Sequence, residues 1–285
     1  MDGPLRGPFH PGELRAQQLA GKGSSGGAIR DHMPDQHREF FAMLPFVLLA
    51  TVGEDGWPQA AVLSGAPGFV SSPDATTLRV AAPLGAPAGT RVGLLGLDFG
   101  TRRRNRANGS ITQADGQGFT ITVDESFGNC PKYIRLRDVT PAEEEGGALS
   151  ATAFEGLSEQ ARRMVASADT FFVATTGGQY GADISHRGGE PGFVRIAGDT
   201  LTVPDYAGNR YFNTLGNMLV DARTALLLID YASGDVLHLQ GRAVVEWDGA
   251  AAGLPGAERL WHFRVERGTL RPAAVPLRWR LRPDD

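Results

Sequence analysis

The sequence predicts a mainly β protein with a few helices, built as two copies of one domain, and three observations carry this. Glycine supplies 38 of 285 residues, about twice its usual share of ~7%, and these turn-formers punctuate apolar runs of strand length. The pattern GxPGFV occurs twice, as GAPGFV (65–70) and GEPGFV (189–194). Two further anchors then recur in the same order: GLLGLDF (93–99) with ALLLIDY (225–231), and Gly109 of ANGS with Gly241 of LQGR. Ordered agreement of several segments is the signature of a repeated domain of about 100 residues. Phe69 and Phe193 lie 124 positions apart and the other two anchors 132. The second copy therefore carries about eight extra residues, within VPDYAGNRYFNTLGNMLVDAR.

PGELRAQQLAG (11–21) reads as a short helix, with proline in its first turn and glycine after its last. GKGSSGGAIRD follows as a flexible connection. A second helix starts near Pro34 and presents Phe40, Phe41 and Leu44 on one face. FVLLATVGEDGWPQAAVLSG reads as two strands around an EDG turn, TTLRVAA and VGLLGLDF continue the β-pattern, and RANGSITQADGQGFTITVD forms a pair around Asp115-Gly116. DVTPAEEEGGALSATAFEG is polar and acidic, the expected linker. The plan then restarts with a helix capped by Ser158, then FFVATT and ADISHRG. The resulting division is an N-terminal arm (1–33), a first domain (34–139), a linker (140–157) and a second domain (158–285).

A net charge of −4 with pI near 5.9 gives no general reason to expect nucleic acid or an anionic membrane as partner. The lone Cys130 excludes an internal disulfide and favours the reducing cytoplasm. No apolar run has the ~20 residues of a membrane span, and MDGPLRGPFHPGELR lacks the apolar segment of a signal peptide. Asn108-Gly109-Ser110 matches a glycosylation sequon, which in the cytoplasm is a chance match.

The extra segment of the second copy reads as a turn followed by a helix with Leu215, Met218 and Leu219 on its inner face. Asn209, Arg210, Asn213 and Thr214 stand at its entrance. A helix N-terminus offers unpaired N–H groups and a positive dipole end, and a neighbouring guanidinium can bind two phosphate oxygens at once, so this is a chemically sensible phosphate site. The plainer alternative is that Asn209 caps the helix and Arg210 is a solvated charge. The matching stretch of the first copy, APLGAPAGTR, has no helix pattern.

TRRRNR (101–106) is the densest charge cluster, and four arginines in six positions repel one another unless an anion is near. It is a solvated hairpin end, a nucleic-acid patch or part of an anion pocket. The lack of interleaved aromatics argues against nucleic acid. Strand alternation sends Arg102, Arg104 and Arg106 to one side and Arg103 and Asn105 to the other. The six histidines show no metal-ligand spacing, and His186, read as lying at a strand end, is a candidate for ligand contact or for solvation. No Walker loop occurs, and no GxSxG elbow or GxGxxG fingerprint stands at the end of a strand that leads into a helix.

ADISHRGGEPGFV, LTVPDYAGNRYFNTLGNMLVDARTALLLIDY and LHLQGRAVVEW resemble the flavin-mononucleotide-binding split-barrel proteins related to pyridoxamine 5′-phosphate oxidase. The first copy resembles the companion barrel of a two-barrel subgroup through SGAPGFVSSPD, GLLGLDFGTRRRNRANG and ESFGNCPKYI. The resemblance covers roughly Phe9 to Val245. It implies two tandem split β-barrels with FMN at their interface, an arrangement in which the usual homodimer interface lies within one chain while leaving a further homodimer open. It implies a phosphate loop at Asn209, Arg210, Asn213 and Thr214, a strand beside the flavin at Ser185, His186 and Arg187, and an opposing strand at Arg104, Asn105 and Arg106. The implied function is an FMN-dependent oxidoreductase with a small-molecule substrate or electron donor. The alternatives are a non-catalytic flavin-binding or stress-response module, and a deazaflavin or haem in the same fold. The oxidase's own C-terminal substrate-binding pattern is missing, AVPLRWRLRP being a loose echo, so pyridoxine phosphate oxidation is not implied.

Overall fold

The computed structural model describes residues 7–143, 150–247 and 254–283. Helices α1 (Pro11–Leu19) and α2 (Asp35–Met43) precede seven strands: β1 (Phe46–Val52), β2 (Pro58–Ser64), β3 (Val70–Asp74), β4 (Thr77–Val80), β5 (Arg91–Asp98), β6 (Arg103–Ala114) and β7 (Phe119–Gly128). After β8 (Arg137–Pro141), β9 (Thr152–Glu155) and α3 (Glu159–Ser167), a second set follows. It comprises β10 (Thr170–Thr176), β11 (Ala182–Gly188), β12 (Arg195–Ala197), β13 (Thr200–Tyr206), α4 (Asn213–Val220), β14 (Arg223–Ile229), β15 (Val236–Glu246) and β16 (Ala257–Arg271), before the last strand, β17 (Leu277–Leu281).

The fold is mainly β and consists of two tandem split barrels. Their sheets have the same strand order, β2-β1-β5-β6-β7-β4-β3 and β11-β10-β14-β15-β16-β13-β12. Their registers agree too: Phe46 faces Ser64 as Thr170 faces Gly188, and Arg91 faces Ser110 as Arg223 faces Arg242. Even the bulge recurs, at Asn108/Gly109 and at Gln240/Gly241. A bulge bends a strand and strengthens its twist, and here it curls each long hairpin around its core.

The repeated GxPGFV is the same turn in both barrels. Gly68 (φ 96°) and Gly192 (φ 84°) take the left-handed conformation that glycine adopts without Cβ strain. Phe69 and Phe193 then close each turn by donating to the carbonyls of Ala66 and Glu190, and both rings are buried.

Strand alternation divides the apolar side chains among three cores. Val47, Leu49 and Leu94 point into the first barrel, and Phe171, Val173, Leu226 and Leu228 into the second. Their neighbours Leu48, Ala50, Leu95, Leu97, Phe172, Ala174, Leu227 and Ile229 form a third core between the barrels. Strands β1, β5, β10 and β14 are therefore buried on both faces, and they read as continuous apolar runs rather than alternating ones. β17 pairs with β8 and seals the same seam, with Trp279 edge-on to Phe46 at 5.3 Å.

The expected helices form with nearly the expected bounds, and Ser158 caps α3 by accepting from the Ala161 N–H. Two expectations change. Leu215 and Met218 of α4 are buried, whereas Leu219 is 41% exposed, because α1 packs along α4 at Gly216 and Val220 and leaves Leu219 uncovered. In the stretch expected as a linker, β9 pairs with β16, while residues 144–149 lie outside the described set.

Phe172 is fully buried in the inter-barrel core. Phe172→Ala is expected to cost about 3–5 kcal/mol. Because one core serves both barrels, urea unfolding followed by circular dichroism and by tryptophan fluorescence should still give coincident transitions, shifted together to lower denaturant.

Candidate functional site

The site lies where side chains of β6 in the first barrel reach β11 and the entrance of α4 in the second. β11 is buried on both faces and presents Asp183, Ser185 and Arg187 on one side and His186 on the other. The loop into α4 is locally strained. Arg210 (φ 63°) and Phe212 (φ 62°) are left-handed without being glycine, at a cost of about 1–3 kcal/mol each. Packing holds them there: Arg259 lies over the Phe212 ring at 5.0 Å, and Tyr211 wedges between Phe9 (5.7 Å) and Phe127 (5.6 Å). Asn209 does not cap the helix, since its Oδ1 accepts from the Tyr211 N–H at 3.2 Å. Phe212 occupies the cap position and no side chain caps α4, so the first-turn N–H groups are left for another partner.

The two barrels meet here through Arg106. Its Nη1 donates to Asp183 at 2.6 Å and to Asn213 Oδ1 at 3.3 Å, and its Nη2 donates to Ser185 at 2.5 Å. Ser185 in turn shares a 2.7 Å bond with Thr214. Beside this cluster is a cavity of about 70 Å³ lined by Arg106, Ser185, Arg187, Asp205, Asn209, Arg210, Asn213, Thr214, Glu258 and Arg259. Four arginines thus meet three carboxylates, Asp205 and Glu258 on the lining and Asp183 on Arg106. Asp205 is bonded by Arg259, its partner in the β13–β16 register, and lies 3.8 Å from Arg187. Arg106 Nε and Arg187 Nε are buried without a hydrogen-bond partner. Surplus positive charge, uncapped helix N–H groups and orphaned buried donors all call for an anion.

On the other side of Arg187, a second gap of about 50 Å³ is lined by Arg104, Cys130, Lys132, Tyr133, His186 and Tyr206, among others. Arg104 Nη1 lies 2.9 Å from His186 Nδ1. A guanidinium only donates, so Nδ1 accepts and the ring proton is on Nε2. Burial first, then the Arg104 charge, hold His186 well below the usual histidine range. The ring is therefore a neutral Nε2–H donor, and this donor is itself buried and unpartnered. Burial, with Arg106 and Arg187 nearby, also lowers Arg104, to about 9. Tyr133 stacks on Tyr206 (4.9 Å, 23°) and separates this gap from an open cavity of about 370 Å³.

The N-terminal arm packs against the far side of the site. Gly12 and Gly216 let α1 and α4 touch: a Cβ on Gly216 would sit 2.6 Å from the Glu13 backbone. Glu13 Oε1 accepts from Asn213 Nδ2, and its Oε2 accepts from the His10 N–H at 2.8 Å. Under the arm is a cavity of about 1100 Å³ that shares Asn213 with the anion cavity.

Of the residues singled out from sequence, Ser185, Arg187, Asn209, Arg210, Asn213, Thr214 and Arg106 line one cavity, and His186 and Arg104 the adjoining one. Asn105 is not brought in. Alternation buries it on the opposite face of β6, with Nδ2 unpaired. His186 is an interior residue of β11 and not a solvated strand end. Arg102 leaves the cluster, donating to the Ile134 carbonyl at 2.9 Å, and Arg103 covers the Phe40 ring at 4.4 Å. Sequence reasoning missed Asp183, Asp205, Arg259, Glu13 and Tyr133. Asp183 had a signal, the alternation D-x-S-x-R of one strand face. Arg259 had none, because only the β13–β16 pairing brings it to Asp205.

Among the described residues, no helix is long and apolar enough to cross a membrane and no cluster of side chains could hold a metal ion. No protein-family model and no curated protein sequence matches the chain. It is similar in structure to HupZ of Group A Streptococcus (16% identity, TM-score 0.32, 39% of this chain and 90% of that one). It is also similar to a FAD-binding protein of Mesorhizobium loti (11%, 0.33, 44% and 100%). A third likeness is to a proposed pyridoxamine 5′-phosphate oxidase of Lactobacillus delbrueckii (18%, 0.28, 34% and 95%). TM-scores this low leave the function to be argued from the site's own geometry.

Because Nδ1 is occupied by a pure donor, the His186 ring should keep its Nε2–H form and its chemical shifts from about pH 5 to 8. Histidine-labelled NMR reads this directly, and a titration within that window would contradict the arrangement.

Proposed function

We propose that this protein binds FMN between its two barrels and acts as an oxidoreductase that passes electrons through it. The observation that supports this most strongly is the convergence of Arg106, Arg187, Arg210 and Arg259 with an uncapped helix entrance on one cavity of phosphate size. A flavin phosphate carries close to two negative charges at neutral pH, as other phosphate monoesters do, which suits a cluster where four arginines outnumber Asp183, Asp205 and Glu258.

In this reading Arg106, Ser185, Arg187, Asn209, Arg210, Thr214 and Arg259 hold the phosphate. The ring belongs along β11, where the orphaned donors Arg104 Nε, His186 Nε2–H and Arg187 Nε complement the acceptor edge of an isoalloxazine. The flavin supplies the electron transfer, and the chain supplies binding, orientation and a positive field at that edge. Tyr133, on the open side, screens the ring position from water.

One flavin per chain follows from the second, pseudo-symmetric junction. By register, Arg106 and Ser185 correspond there to His238 and Ala61. Protein groups fill that place, with the Ala60 N–H donating to His238 Nε2 at 3.1 Å and Gln240 donating to the Pro58 carbonyl at 2.9 Å. We read the pair of barrels as a domain duplication in which one junction kept the ligand and the other was closed.

Purified protein should be yellow, or take up added FMN to one equivalent per chain by absorbance titration. Arg210→Ala, at an exposed position where folding is not at stake, should weaken FMN at least about tenfold. Protein that is colourless and refuses FMN would overturn the proposal. Flavin that binds but exchanges electrons with no nicotinamide or acceptor tested would leave it a carrier or sensor.

A further inference from the structure

Asn213 is held from both sides. Its Nδ2 donates to Glu13 on the arm, and its Oδ1 accepts from Arg106 on the first barrel. A carboxylate only accepts and a guanidinium only donates, so with Glu13 ionised the amide has one orientation. In that orientation an acceptor oxygen faces the anion cavity. Asn213, expected from sequence to bind phosphate, is then turned the wrong way to donate to it.

We infer that Glu13 is a positioning residue for the anion cavity, setting through the Asn213 amide whether that cavity meets an acceptor or a donor. This rests on the anion reading given above. A protonated Glu13 can donate to Oδ1, and the turned amide then offers Nδ2 to the cavity. Without an anion, that N–H would abut the Arg106 guanidinium; with one, both groups donate to it. Protonation of Glu13 and occupancy of the cavity therefore favour the same orientation, and by linkage each promotes the other.

The surroundings set where this happens. Glu13 is 5% exposed. It is faced by His10 of its own helix, Asp183 of β11, Glu125 of β7 and, across Asn213, Arg106 of β6, while Arg30, Asp31, Arg91 of β5 and Asp124 of β7 line the same cavity. Burial above all, with Asp183 and Glu125 adding, pushes its carboxyl up to about 7. His10 is lowered by burial and stays neutral: its Nδ1 accepts from the Gly12 N–H and its Nε2 meets Asn217. Glu125 is itself raised by burial and by Asp183. The sign follows: the donor orientation is available below about pH 7 and lost above it, so anion affinity falls as pH rises through that value.

The test uses the full chain and two probes, FMN by fluorescence titration and inorganic sulfate by thermal shift. Sulfate keeps its charge across the window, which removes the phosphate's own titration. In the wild type, affinity for both should drop about fivefold or more between roughly pH 6 and 8, with proton uptake on binding at pH 7 detected by calorimetry in two buffers of different ionisation enthalpy. Glu13→Gln should bind with neither the slope nor the uptake. Asn213→Ala, which keeps Glu13 and removes the amide, should also lose the slope. A slope equal to wild type in either variant overturns the inference, as does absence of any sulfate shift in the wild type. Sulfate dependence without FMN binding would sustain it while sinking the flavin reading.

Discussion

The inter-barrel core is the constraint on which the rest depends. Four strands, β1, β5, β10 and β14, are buried on both faces, so neither barrel can stand alone without exposing Leu48, Leu95, Phe172 and Leu227 to water. Burying each such side chain is worth about 1.5–3 kcal/mol, and together they fix the two barrels within side-chain tolerances. Arg106 can reach Asp183 and Ser185 only because that packing leaves no slack, and Gly93 shows how close it is: a Cβ there would lie 2.7 Å from the Ala182 carbonyl oxygen.

A second consequence concerns charge. Arginines and acids brought to this seam lose hydration, and a buried charge is tolerated only when paired. Asp183 and Asp205 answer Arg106 and Arg259 so that the site is stable with protein groups alone, yet the Nε–H groups of Arg104, Arg106 and Arg187 stay unmatched. Full neutralisation would give a stable but inert seam. Leaving a small positive surplus, beside a helix that nothing caps, costs stability that an incoming anion can restore.

The repeat was legible because its anchors, Phe69/Phe193 and Gly109/Gly241, are residues that turns and bulges demand locally. The helix at Asn213 was legible from its apolar spacing, whereas strand alternation grouped Arg104 with Arg106 without saying which face of the strand meets the other barrel. What escaped was set by pairing between distant strands. Arg259 reaches Asp205 through the β13–β16 register, Tyr133 meets Tyr206 across the seam, and Glu13 lies 200 positions from Asn213. Leu219 was misplaced for a related reason, since helical spacing defines an apolar face without saying how much of it a neighbour such as α1 will cover. For His186 the sequence left ligand contact and solvation both open, because nothing in it shows that Arg104 of the other barrel meets the ring at Nδ1.

The two junctions between the barrels share a plan and differ in what fills them. Both are built alike, with β5 packed on β11 and β14 on β2, while β6 and β15 reach across by their side chains. In the second junction the β1–β2 hairpin brings Trp57 between Arg242 (5.4 Å) and Arg267 (5.2 Å), and Arg267 is tied in turn to Asp55 and Gln240. Cation–π contacts and a short ion pair there do with protein groups what the first junction leaves undone. The roughly eight residues of loop and helix that end in α4 mark the difference: their counterpart, 81–90, forms no helix, so the second junction has no N–H array to offer an anion. Without that array, the arginines of the second junction are held over an indole face instead.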